Sequence, residues 1–219
     1  SGFLAWFHAA SVGEANAVLP VIDAIAAEHP EIGLLLTTGT VTSAKLARAR
    51  LPKGAVHQYV PLDNQDYVRR FLKHWQPDLA VFVESEIWPN LVLETNALNV
   101  PLVLVNGRMS FRSFRRWRNR PGLSRPLFSA FGLVLAQNER FAQRFTALGA
   151  RLRHRARGAA LRHLGVGDEE GELAPVHVQA DAVARLHPRE RRAGGGFGRH
   201  VQHDGAGGGA AHAPVGDAH

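Results

Sequence analysis

The sequence predicts an α/β fold built on a parallel, doubly wound sheet. Short strand-like runs recur along the first two thirds of the chain, at residues 3–7, 32–36, 56–60, 79–83, 102–105 and 133–137, and the run 79–83 is apolar throughout. A strand buried on both faces reads in this way. Between the runs lie segments whose apolar residues repeat at helical spacing. Alternating strands and helices imply crossovers and hence a parallel sheet.

The first run, ending at Trp6 and Phe7, leads into His8-Ala9-Ala10-Ser11-Val12-Gly13-Glu14. Small residues there predict a tight turn that opens a helix. Such strand-to-helix turns at the carboxyl end of a parallel sheet are where α/β folds place ligands. Gly13 permits close approach to the backbone. Glu14 at the helix start has two readings. It is a general base facing a ligand held near the amides of the first turn, or it completes a Ser-x-x-Glu capping box with Ser11.

A helix follows over residues 14–28 on Val18, Ile22 and Ile25, and Pro30 marks its end. The run 32–36 enters a hydroxyl-rich stretch, Thr37-Thr38-Gly39-Thr40-Val41-Thr42-Ser43, read as a turn. The helix after it carries Lys45, Arg48 and Arg50. Most of these hydroxyls are expected to cap that helix. The run 56–60 precedes Pro61-Leu62-Asp63, with Asp63 expected to cap a helix through Val68, Phe71, Leu72 and Trp75.

Residues 79–83 deliver Glu84, Ser85 and Glu86. If the strand continues, alternation places both glutamates on one side. Paired carboxylates raise a pKa, as acid/base sites require. The alternative is hydrogen bonding to loop amides or to arginine. Pro89 suits the first turn of the next helix. Residues 102–105 form the fifth strand. From Arg108 to Arg125 there are seven arginines and no acidic residue, interleaved with Phe111, Phe114 and Trp117. That mixture fits nucleic acid or the phosphates of a glycolipid at a membrane surface. It also fits a solvated basic face with the aromatics turned into the core. Residues 123–131 predict a short helix, 133–137 the sixth strand, and 138–148 a helix ending at Gly149.

The 219 residues carry a formal charge of +7 and no cysteine. Disulfides and thiolate metal sites are excluded, and the charge favours anionic partners. No apolar run approaches the roughly 18 residues of a transmembrane helix. The chain begins at Ser1 inside a strand pattern, which reads as a fragment whose start is missing.

Three motifs in order carry a family resemblance: residues 8–14, Val83-Glu84-Ser85-Glu86-Ile87-Trp88-Pro89-Asn90, and Val103-Leu104-Val105-Asn106-Gly107-Arg108-Met109-Ser110. Over about residues 3–150 the chain resembles bacterial 3-deoxy-D-manno-octulosonic acid (Kdo) transferases. The resemblance implies a Rossmann-like, acceptor-binding domain over residues 1–150, the N-terminal half of a GT-B glycosyltransferase. It implies Glu14 as catalytic base with Glu86 beside it. Substrate contacts would come from Ser11, Gly13, Thr38, Lys45, Arg108, Arg115 and Arg116. The implied acceptor is a lipid A precursor, and the donor is CMP-Kdo, bound by a domain this chain lacks. The expected location is the cytoplasmic face of the bacterial inner membrane, held peripherally on an anionic surface or by an anchor absent here. Nothing calls for a cofactor or a metal, and no nucleic acid is expected on this reading. Two other classes stay open: another GT-B glycosyltransferase or nucleotide-sugar epimerase, and a binding module for anionic lipid or nucleic acid.

Residues 151–219 depart from the family pattern. All four Trp, both Tyr and all three Lys precede them, while eight of the twelve His and thirteen of the twenty-two Gly fall within them. Such a segment is expected to be disordered, since it buries too little apolar surface to offset its ordering entropy, or to arise from a reading-frame shift near residue 150. A metal site at His200 and His203 is disfavoured by the glycine-rich surroundings, and the chain alone is expected to lack transferase activity.

Overall fold

The computed structural model describes residues 2–84 and 87–150. The strands are β1 (Leu4–His8), β2 (Gly33–Thr38), β3 (Val56–Tyr59), β4 (Leu79–Val83), β5 (Leu102–Gly107) and β6 (Phe131–Ala136). They form one parallel sheet in the order β3-β2-β1-β4-β5-β6. The helices are α1 (Val12–Glu28), α2 (Val41–Arg50), α3 (Gln65–Trp75), α4 (Pro89–Ala97), α5 (Phe111–Arg118), α6 (Pro121–Ser129) and α7 (Glu139–Ala147). The Rossmann-like sheet expected from the sequence is therefore present. The chain starts at β1, winds outward to β3, then returns to β4 and winds the other way. The order reverses between β1 and β4, and a ligand crevice is expected at their carboxyl ends.

Alternation along the strands divides the core in two. On one face Phe7, Ala9, Val81, Val83 and Val105 pack with Val18, Ile22 and Ile25 of α1. On the other, Trp6, Phe82 and Leu104 pack with Val68 and Phe71 of α3, Leu91 of α4 and Phe128 of α6. Trp6 anchors this second layer, with ring centroids 4.9 Å from Phe71 and 5.5 Å from Phe82. Phe82 in turn meets Phe131 edge-on at 5.9 Å. Every residue of β4 is buried, which is why its sequence shows no polar alternation.

The structure corrects several boundaries. Thr37 and Thr38 are buried residues of β2, paired with Gln58 and Tyr59 of β3, and not part of a turn. β-Branched threonine suits a pleated strand as well as a cap. Thr40 is the N-cap of α2 and forms a capping box with Ser43. Helix α6 begins at Pro121 and ends before Phe131, which instead opens β6 opposite Leu102. Asp63 does not cap α3; Asn64 does, accepting from the Asp66 amide at 3.0 Å. Asp63 reaches across to α4, where its Oδ1 accepts from the Leu91 amide at 2.8 Å and its Oδ2 from the Asn90 amide at 3.3 Å. Trp88, the N-cap residue of α4, makes no side-chain cap bond, so Asp63 supplies that anionic cap from another element.

Helix α5 has Phe114 and Trp117 packed against the second core face, while Phe111 is 60% exposed. No helix among the described residues is long and apolar enough to cross a membrane. The expectations for residues 151–219, including His200 and His203, lie outside the described residues.

Two stability outcomes follow. Phe82→Ala opens a cavity among Trp6, His8 and Phe131 and is expected to cost about 3–5 kcal/mol, read as a lower urea midpoint. Asp63→Ala removes the α4 cap and is expected to cost about 1 kcal/mol. A cost at Asp63 indistinguishable from zero would contradict its capping of α4.

Candidate active site at the carboxyl end of the sheet

The turn between β1 and α1 is held by a closed set of hydrogen bonds. Ser11 is extended, with φ −109° and ψ 168°, and caps α1. Its Oγ accepts from the Glu14 amide at 3.3 Å and donates to Glu14 Oε1 at 2.9 Å. Glu14 Oε2 accepts from the Ala10 amide at 2.8 Å. Glu14 as a whole is 5% exposed. The capping arrangement anticipated from Ser-x-x-Glu is thus formed, with Glu14 reaching one residue beyond the N-cap. A carboxylate oxygen can accept more than one hydrogen bond, so capping does not by itself exclude proton acceptance.

The Ala10 carbonyl continues the chain of contacts. It accepts from the Gly39 amide at 3.0 Å and from Ser43 Oγ at 3.4 Å. A Cβ on Gly39 would lie 3.1 Å from that oxygen, so a larger residue would push the two turns apart. Gly13 is different. It is exposed, and a Cβ there would meet only Ser11 Oγ, at 3.9 Å. Neither packing nor backbone angle demands glycine at 13, which leaves the surface over the first turn of α1 uncovered.

Ser11, Gly13 and Glu14 are therefore brought together. Thr38 is near them in the sheet, but it is buried and its Oγ1 bonds His57 Nε2 at 2.9 Å. Burial, and then the charge of Arg48, lower the His57 pKa. Lys45 is exposed on α2. Glu86, the expected neighbour of Glu14, lies outside the described residues.

At the ends of β4 and β5 the strand alternation stops. Glu84 has φ 58° and Asn106 φ 54°, left-handed conformations that asparagine tolerates better than glutamate. Glu84 therefore leaves the strand and does not continue the pleat toward Glu86. Its Oε2 pairs with Arg108 Nη2 at 2.8 Å, and its Oε1 accepts from Asn106 Nδ2 at 3.4 Å. Gln137 Nε2 donates to Asn106 Oδ1 at 3.0 Å. This is the arginine pairing weighed from the sequence. The Glu84 side chain is 12% exposed and that of Arg108 56%, so the guanidinium keeps an open edge. Arg115 and Arg116 are exposed on α5 and have no ion-pair partner among the described residues.

Sequence reasoning passed over His8 except as a motif letter. It ends β1 fully buried, its Cα paired with Thr37 on one side and Phe82 on the other. Its Nδ1 lies 3.1 Å from Thr37 Oγ1. Its ring stands edge-on to Phe82 and to Trp88, each at 5.6 Å. Burial lowers its pKa from 6.5 to about 4, against a smaller opposing effect of hydrogen bonding at Thr37.

Residues 2–159 match the family model described as 3-deoxy-D-manno-octulosonic-acid transferase (kdotransferase). The chain belongs to the Kdo transferase family. It is 45% identical over 146 residues to a Kdo transferase of Rickettsia felis, covering 67% of this chain and 31% of that protein. With that of Haemophilus influenzae it shares 33% over 144 residues, covering 66% and 34%. A probable mitochondrial Kdo transferase of Arabidopsis thaliana is 43% identical over 116 residues, covering 53% and 26%. The chain thus spans about a third of the length of its Rickettsia felis relative. Among solved structures it is similar in fold to the S. aureus MnaA–UDP complex, with TM-score 0.50 and 13% identity over 68% of this chain and 41% of that one. A UDP-N-acetylglucosamine 2-epimerase also has TM-score 0.50, at 11% identity over 67% and 45%.

The neutral His8 sets an acid limit on this Kdo transferase fold. Its folded pKa lies below its unfolded value, so the unfolded chain takes up a proton first. Stability is therefore full above about pH 6.5 and is lost as pH falls toward about 4, by roughly 3 kcal/mol from this group. Urea midpoints measured across that range are expected to fall, and His8→Asn is expected to flatten that part of the slope. An unchanged slope in the variant would contradict the assignment.

Proposed function

We propose that residues 1–150 are the acceptor-binding half of a GT-B Kdo transferase. The half transfers Kdo from CMP-Kdo to a lipid A precursor in concert with a donor-binding domain. Glu14 is the base. It takes the proton from an acceptor hydroxyl whose oxygen attacks the anomeric carbon of Kdo, while the bond to CMP breaks and CMP departs with its electron pair. Attack opposite the leaving group inverts the anomeric centre. The observation that carries this reading is the carboxylate of Glu14, fixed at the carboxyl end of β1 beside an uncovered helix turn at Gly13.

Arg108, Arg115 and Arg116 dock acceptor phosphates, with Ser11 and Lys45 at the rim of the cleft, Thr38 buried behind it against His57, and Glu86 beside the base. The exposed Phe111 beside the arginines of α5 suits shallow seating on an anionic membrane surface. The cytoplasmic face of the bacterial inner membrane is the corresponding location. Because the donor site belongs to the other half, the 219-residue chain is expected to transfer no Kdo by itself.

The test is flotation with vesicles containing lipid A precursor, against vesicles of matched charge without it. Arg115→Ala/Arg116→Ala is expected to weaken binding about thirtyfold, at about 1 kcal/mol per basic residue near the surface. Glu14→Gln, which keeps a side-chain oxygen to accept from the Ala10 amide, is expected to leave binding in place, since it removes the base and not the turn. Salt-sensitive binding to RNA with no preference for lipid A precursor would overturn the proposal in favour of a nucleic-acid module. Kdo transfer by the purified chain would overturn the division of labour.

A further inference from the structure

His8 has a group that the proposed chemistry does not use. Thr37 Oγ1 has one proton and two lone pairs. Trp6 Nε1 can only donate, and it does so to this oxygen at 2.9 Å. The hydroxyl proton goes to the Phe7 carbonyl at 3.3 Å. One lone pair remains, facing His8 Nδ1 at 3.1 Å. All three contacts are satisfied together only if His8 carries its proton on Nδ1. His8 Nε2 is then a bare acceptor, and it is buried without a hydrogen-bond partner. Native structures rarely leave such an atom unpaired, because its lost hydration is not replaced.

Its position indicates what completes it. His8 is the last residue of β1 and lies opposite Phe82 of β4, across the reversal of strand order. The two ring nitrogens point apart. With Nδ1 turned to Thr37 of β2, Nε2 is turned away from that strand. The half-buried indole of Trp88 packs edge-on against the same ring. A neutral nitrogen lone pair takes a hydroxyl or amide proton and offers nothing to a fully ionised phosphate oxygen. That sets it apart from the arginines of α5.

We propose that His8 Nε2 accepts a hydrogen bond from a sugar hydroxyl bound at the β1/β4 crevice, making His8 a specificity residue for the sugar and not for its phosphates. The proposal rests on the acceptor-binding reading above and deepens it. Thr37 and Trp6 are its supports: they fix the tautomer, and Phe82 and Trp88 fix the ring.

The experiment is 15N NMR of the full 219-residue chain labelled at histidine, with the His8 signals assigned by their loss in His8→Asn. Asparagine retains a donor near the position of Nδ1 and has no acceptor at that of Nε2. In the free chain His8 is expected to show protonated Nδ1 and bare Nε2 at neutral pH. The probe is the deacylated, phosphate-bearing sugar headgroup of a lipid A precursor, with inorganic phosphate as the second arm. Headgroup is expected to move the Nε2 signal, and phosphate alone is expected not to. His8→Asn is expected to weaken headgroup binding about fivefold, the scale of one neutral hydrogen bond, and to leave phosphate binding unchanged.

A protonated Nε2 in the free chain overturns the inference. So does headgroup binding, seen at the amides of Gly107 and Ser110, that leaves Nε2 unmoved; the acceptor-binding reading survives both results. A headgroup that moves neither those amides nor Nε2, while vesicles still bind, places recognition on the acyl chains and also overturns it. Failure of vesicle binding overturns the parent reading and this inference with it.

Discussion

The carboxyl end of this sheet depends on the peptide groups around Ala10. The Ala10 amide is held by Glu14 Oε2, and the Ala10 carbonyl by Gly39 and Ser43. One residue therefore locks the turn after β1 to the turn after β2. The closeness of Gly39, where a Cβ would stand 3.1 Å from the Ala10 oxygen, is what makes the lock short. Without it the N-termini of α1 and α2 would be positioned only by their packing on the core. With it, the carboxylate of Glu14 is fixed relative to both turns.

The same economy recurs on the other half of the sheet. Glu84 and Asn106 adopt left-handed backbone conformations at the ends of neighbouring strands. Each conformation costs of the order of 1–3 kcal/mol unless the surroundings over-determine it. Here the surroundings do so. The Glu84 amide bonds Val105, its carbonyl accepts from Arg108, and its carboxylate meets Asn106 and Arg108. The result is a polar rim joining β4, β5 and Gln137, beside the apolar floor made by Phe82 and Trp88.

Much of the fold was legible in the sequence, and the reasons are specific. The run 79–83 coincides with β4 because a central parallel strand leaves no face for polar residues. Asn138 and Gly149 bracket α7 because caps and left-handed C-termini have strong residue preferences. Thr37 and Thr38 were misread because hydroxyl residues signal turns, whereas these hydroxyls are satisfied inside the sheet by Trp6, His8 and His57. Asp63 was assigned to the nearest helix because sequence proximity is the only guide to a cap, and its true partner is 28 residues away. Glu14 was legible as a residue of interest: its capping reading is formed, and its role as base is the proposal made above. His8 gave no spacing signal. Its character comes from Thr37 on β2, Phe82 on β4 and Trp88 at the start of α4, and no local pattern encodes that.

The capping of α4 by Asp63 also bears on how such a protein can change over evolutionary time. The end of β4 is tied to β5 through the Glu84 amide and the Val105 carbonyl, and the first turn of α4 is tied to the β3–α3 connection through Asp63. The two ties have different partners, so a substitution that frees one leaves the other in place.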